Sequence, residues 1–291
     1  MERRMAAEEA TSTTGHDILQ AAAEAARNRL GGRLEAAYAI GSLAHGGFAP
    51  AVSDVDLALV VDRADADAGF AIERAHLDAL ARYAGTPQQV LAERLSIFWS
   101  DWAHLADGTE KGRFPATDRL DLLDSGVPLF GADRRAECRR PGRDDLLLDS
   151  ATFAVRRFGD PDHLRTLRDP DGLAAHGART VTKTVLFPVR LLYTATTGRL
   201  GRNDAAAEWY TATPQPGRIL VDTALRWRTE GIDDPYAAAG LLRRGLLPLY
   251  AHAIERLGHH TAQAGHPELA TRLARLRAAL ATMSPSPTPK R

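Results

Sequence analysis

Asp54 and Asp56 stand two residues apart at the head of an apolar run, with Val55, Leu57 and Leu59 in the intervening and following positions. Side chains alternate between the faces of a strand, so these two carboxylates share one face. Held that close, they repel and resist joint ionisation unless a cation lies between them. A divalent ion removes the conflict. Oxygen ligands suit Mg²⁺, which binds through one or two carboxylates plus substrate phosphates rather than in a full protein cage. The chemistry indicated is metal-assisted handling of a phosphorylated substrate.

The chain upstream supplies a partner for that substrate. Residues 41–56 read GSLAHGGFAPAVSDVD. Gly41-Ser42 and Gly46-Gly47 are small enough for backbone N–H groups to approach phosphate oxygens, and the Ser42 hydroxyl adds a donor. Ser53 directly precedes the acidic pair and is counted with these nucleotide-binding candidates. The loop is no P-loop, because no Gly-Lys-Ser/Thr closes it, and its spacing is not that of a dinucleotide fingerprint. A Gly-Ser turn alone is everyday loop chemistry, and an isolated Asp-x-Asp at a strand edge is most often a solvated turn. Their succession on consecutive strands is far more specific.

The elements that position these residues follow from periodicity and punctuation. Helix is expected over 18–30, stopped by Gly31-Gly32, then strands over 34–40 and 55–61. A helix over 70–83, a strand over 90–99, a short helix over 118–123 and a strand over 127–130 complete an α/β half. Beyond residue 140 strand signals mostly vanish, and helical patterns occupy 146–157, 178–197, 205–210, 218–228, 235–257 and 267–283. The expected organisation is a polar, disordered arm over 1–15, an α/β domain over 16–140, a helical domain over 141–283 and a disordered tail over 284–291.

Composition narrows the function classes. The 291 residues carry 37 basic and 37 acidic side chains. A formally neutral chain argues against nucleic-acid binding by bulk charge while leaving room for a small basic pocket. Cys138 is the only cysteine, which excludes an intrachain disulfide and a cysteine-rich zinc cluster. No apolar run nears 18 residues and the N-terminal stretch lacks a signal core, so no membrane association and a cytoplasmic location are expected.

The order strand, Gly-Ser, glycine-containing loop, then Ser53-Asp54-x-Asp56 opening an apolar strand resembles the nucleotidyltransferase superfamily with the DNA polymerase β-like catalytic fold. Residues 189–209, VRLLYTATTGRLGRNDAAAEW, look like the helical domain of aminoglycoside adenylyltransferases of the streptomycin/spectinomycin type, through Arg190, Tyr193, Thr197-Gly198 and Trp209. The resemblance spans most of residues 38–210. It implies an α/β (α+β) nucleotidyltransferase domain with a mixed sheet, followed by an α-helical bundle domain that closes over the nucleotide. It implies two Mg²⁺ ions on Asp54 and Asp56, ATP as the nucleotide, and a small-molecule acceptor such as an aminoglycoside.

Residues 178–197 carry a cationic face in their own right. At 100° per residue Arg179, Lys183 and Arg190 lie within about 40° of one another, opposite Val181, Val185, Pro188 and Leu192. A solvated charged face is the plain reading. Beside a metal motif, triphosphate binding through Arg forks and a Lys charge is the sharper one. Arg190 matches the family's arginine. Asn203 falls where the family has a lysine, and Arg202 beside it is the substitute considered. The acidic Asp204, Glu208 and Asp222 are candidates for attracting a polycationic acceptor.

One family position is missing. The superfamily has a third carboxylate on a later strand, a Glu in the adenylyltransferases, and alignment of LAERLSIFWS places Ser96 there. Parity agrees: Leu91, Glu93, Leu95, Ile97 and Trp99 share one largely apolar face, and Ser96 lies on the other. Transfer to a hydroxyl benefits from a base. Asp101, Glu93 or His45 is a replacement base, or the acceptor is an ionised carboxylate or phosphate that needs none. A third alternative is a catalytically degenerate nucleotide-binding protein, related to resistance or toxin–antitoxin systems.

Overall fold

The computed structural model describes residues 2–283, with side chains described from Thr14 onward. The chain divides into two compact units, one ending at Pro141 and the other beginning at Gly142.

The first unit opens with α1 (Glu2–Leu30), which runs through most of the stretch expected as a polar arm. Gly31 turns the chain at φ +58 into β1 (Leu34–Ile40). There follow α2 (Gly41–His45), β2 (Val55–Val61), α3 (Ala66–Ala81), α4 (Gln89–Ala92) and β3 (Leu95–Asp101). Next come α5 (Trp102–Asp107), α6 (Ala116–Ser125) and β4 (Val127–Gly131). The strands form one mixed sheet in the order β3-β2-β1-β4. β1 is antiparallel to both β2 and β4, while β2 and β3 run parallel. A parallel pair needs a crossover, which α3 and α4 supply. Asp65 caps α3, accepting from the Ala68 amide at 2.9 Å.

Alternation sorts the sheet into two faces. Val55, Leu57, Leu59 and Val61 of β2 pack with Leu95 and Ile97 of β3 against α1 and α3, through Ile18, Leu19, Ala68 and Ile72. On the other face Ala58 and Val60 join Tyr38 and Ile40 of β1 under Phe114 and Leu122. Asp54 and Asp56 have the parity of this second face.

The expected strand over 90–99 is corrected at its start. Residues 89–92 form α4, and pairing begins only at Leu95. Val90, Leu91 and Ala92 have strand-like composition. However, the Gln89 side-chain amide donates to Glu93 Oε1 at 2.9 Å, an i,i+4 pairing that belongs to a helical turn.

The second unit contains α7 (Arg143–Phe158), α8 (Pro161–Arg168), α9 (Pro170–Ala175), α10 (Gly177–Thr197), α11 (Asn203–Thr211), α12 (Arg218–Glu230), α13 (Pro235–Gln263) and α14 (Pro267–Ala281). α10 packs against α7, α11, α12 and α13, contributing Val181, Val185, Val189 and Leu192 to the core. It continues through Pro188. The expected tail over 284–291 lies outside the described residues.

Candidate functional site

Asp56 is half-buried and pairs in register with Ile40 of β1 on one side and Ser96 of β3 on the other. Asp54 precedes the strand by one residue and is also half-buried. The two carboxylates thus end a sheet face whose remaining positions, Ala58 and Val60, are fully buried. This donor set fits a Mg²⁺ that completes its shell with phosphate oxygens. Among the described residues, no group of three or more His, Cys, Asp or Glu side chains is placed to hold a metal without such help.

The Gly-Ser turn is built against this pair. Ile40 leaves β1 extended, and Gly41 turns the chain at φ +69 into α2. A Cβ on Gly41 would stand against Asp56 Oδ2, so only glycine permits both the turn and the approach. The Gly41 amide donates to Asp121 Oδ2 at 2.7 Å. Asp121, on α6, is 6% exposed, and its other oxygen accepts from the Ser125 hydroxyl. Sequence reading passed over Asp121; the available signal was an acid between Leu120 and Leu122 in a short helix that must bury one side. Ser42 is half-buried as the second residue of α2. Gly46 caps that turn at φ +81, and the Gly46 and Gly47 amides both donate to the Ser42 carbonyl. The glycine pair therefore closes the turn through its own amides.

Ser53 serves the loop. It is 5% exposed, and its hydroxyl accepts from the Ala49 amide at 2.9 Å. Arg94 Nη1 donates to the carbonyls of Pro50 at 2.8 Å and Ser53 at 3.4 Å.

The candidate bases separate clearly. Ser96 is beside Asp56. Asp101 pairs with Val61, five residues further along β3 and so about 16 Å away at the strand rise. Its buried carboxylate accepts from the Ala64 amide at 2.8 Å, the His104 amide at 2.9 Å and His104 Nδ1 at 2.7 Å. Burial alone would raise its pKa, but these donors outweigh burial and hold it below the usual carboxylate range. The geometry makes Asp101 a helix cap remote from the acidic pair. Glu93 is the exposed C-cap of α4, outside β3. His45 ends α2 half-buried, its ring against Gly47, where an added Cβ would lie 3.2 Å from its Cε1.

In the second unit Arg190 Nε donates to the Gly201 carbonyl at 2.5 Å, and its guanidinium lies 5.6 Å from the Phe187 ring centre. Lys183 is half-buried on the same helix. Arg202 stands at the N-cap position of α11 without a side-chain capping bond and pairs with Asp204 at 3.4 Å, and Asn203 opens the helix. Tyr193 and Trp209 meet edge to face, with centroids 5.6 Å apart. They line a groove of about 580 Å³ together with Thr197, Arg199 and Glu208. Asp222 is elsewhere, beside Arg226 on α12.

No family model matches the chain, and no curated protein matches it. Among solved structures, spectinomycin adenyltransferase AAD(9) from Enterococcus faecialis, crystallised with ATP and spectinomycin, matches over 83% of this chain and 98% of its own. The TM-score is 0.55 and the sequence identity 15%. The chain has the adenyltransferase fold. A likeness to an adenyltransferase fold is what the sequence resemblance implied. No described helix is long and apolar enough to cross a membrane.

Proposed function

We propose that the protein is a Mg²⁺-dependent nucleotidyltransferase that moves AMP from ATP onto a small-molecule acceptor. The observation that carries this reading is the placement of Asp54 and Asp56 on one sheet face with the Gly41-Ser42 turn folded directly over Asp56. An acceptor oxygen attacks the α-phosphorus, the bond to the bridging oxygen breaks, and pyrophosphate leaves. Asp54 and Asp56 would hold Mg²⁺, which when bound would supply charge neutralisation for the phosphoryl transfer. The Ser42 hydroxyl donates to the triphosphate. Arg190 and Lys183, from the cationic face of α10, and Arg202, from the resemblance, are assigned to phosphate charge; replacing each with a neutral residue tests that assignment.

Ser96 beside Asp56 bears on the acceptor. A hydroxyl acceptor must lose a proton, whereas an ionised carboxylate or phosphate need not. The same observation favours a second reading, a nucleotide-binding protein without turnover. Pyrophosphate release from MgATP, measured across hydroxyl acceptors including spectinomycin and across carboxylates, separates the two. Turnover with one acceptor class, lost in an Asp54→Asn/Asp56→Asn double variant, is the expected result. Retained turnover in the double variant would remove the mechanism, and ATP binding without pyrophosphate from any acceptor would establish the second reading.

A further inference from the structure

Gly41 is held from two sides by carboxylates. Asp121 Oδ2 draws on its amide at 2.7 Å, and Asp56 occupies the space its side chain would need. Asp121 arrives from α6, 80 residues away in sequence, and is 6% exposed. Burying a carboxylate is costly unless its oxygens are satisfied. Here both are engaged, one by Gly41 and one by the Ser125 hydroxyl. A carboxylate spent in this way is not available as the missing third acid. Its charge-assisted bond is stronger than a neutral one and acts at the one residue where the chain changes direction from β1 into α2.

The geometry points to Asp121 as a positioning residue that, through the Gly41 amide, fixes Ser42 relative to Asp56 and so sets where a triphosphate meets the metal-binding pair. This inference rests on the nucleotidyltransferase reading above. Asp121 touches no reacting atom. Its effect on catalysis passes through one backbone hydrogen bond, and small displacements of a positioning group are expensive in rate.

The test compares Asp121→Ser with Asp121→Asn in the full chain. Serine is too short to reach the Gly41 amide. Asparagine keeps an acceptor for Gly41 and gains a donor toward Ser125. Asp121→Ser is expected to raise the KM for MgATP about tenfold or more and to move the Gly41 amide proton upfield in its NMR spectrum. Asp121→Asn is expected to restore both to near wild type. An unchanged KM in Asp121→Ser, or an Asp121→Asn variant as impaired as Asp121→Ser, would overturn the role. The wild type alone provides a check that needs no variant: its Gly41 amide should exchange slowly with solvent, and fast exchange would refute the clamp. A wild type that binds no MgATP refutes the functional reading, and with it this role. A wild type that binds MgATP with unaltered KM in Asp121→Ser refutes the role alone.

Discussion

Ser96 lies directly beside Asp56 in the parallel register of β2 and β3. A hydroxyl thus stands where the resemblance to the adenylyltransferases places a third carboxylate. Ser96→Glu is expected to raise pyrophosphate release with hydroxyl acceptors by about 100-fold, the low end of general-base contributions, and to leave ionised acceptors unaffected. The added charge also repels Asp56, so the variant should melt lower without Mg²⁺ and recover with it. Initial rates on paired hydroxyl and carboxyl acceptors, with melting curves at two Mg²⁺ concentrations, check both effects.

Asp101 is expected to govern stability and not chemistry. Asp101→Asn replaces a charged acceptor of three donors and should cost about 2 kcal/mol in denaturant unfolding, with MgATP turnover per folded molecule within about twofold of wild type. The folded-state pKa of Asp101 is depressed. Its contribution is therefore present above the unfolded carboxylate value and is lost as pH falls through the lower folded one. Unfolding curves at pH 7 and below pH 4 read the difference.

His163 is expected to make the second unit sensitive to acid. It is 8% exposed, stacks on Phe158 at 5.5 Å, and places Nε2 3.1 Å from the Tyr250 hydroxyl. That hydroxyl donates to the Thr184 carbonyl at 2.9 Å, so it accepts from His163, which holds the neutral ring with its proton on Nε2. Burial, and secondarily Arg157, pushes its pKa down to about 4. The unfolded chain takes up this proton from near pH 6.5. Stability is therefore expected to fall as pH drops from about 6.5 to about 4, by about 3 kcal/mol, and to level off below. His163→Phe should flatten that slope in denaturant titrations across the range.

Much of this architecture is written locally. β1 and β2 declare themselves as short apolar runs, β1 with glycines before and after it, and α10 by its valine and leucine stripe. The acidic pair and the Gly-Ser turn could be read because their spacing along one chain segment is itself the chemistry. α8 and α9 escaped attention although Asp160-Pro161 and Asp169-Pro170 are each a cap followed by a first-turn proline. Short helices leave too few repeats for periodicity to register. Asp121 was hidden for a different reason. An acid in an amphipathic helix reads as its wet side until the packing of α6 shows it buried and bonded to Gly41. Asp101 misled in the opposite sense: proximity in sequence to Ser96 suggested reach, while an extended strand carries neighbours apart.

Arg94 Nη1, shared between the Pro50 and Ser53 carbonyls, decides which residue of β3 stands beside Asp56. A one-residue slip of a strand turns every side chain to the opposite face. If β3 slid by one position, Leu95 or Ile97 would replace Ser96 beside Asp56, and an apolar wall would stand against the acidic pair. Arg94 sits immediately before β3 and ties it to the loop that delivers Asp54, so the two strands are indexed to each other like the teeth of a ratchet. Loosening that index would leave the sheet intact in outline while exchanging the chemistry at its edge.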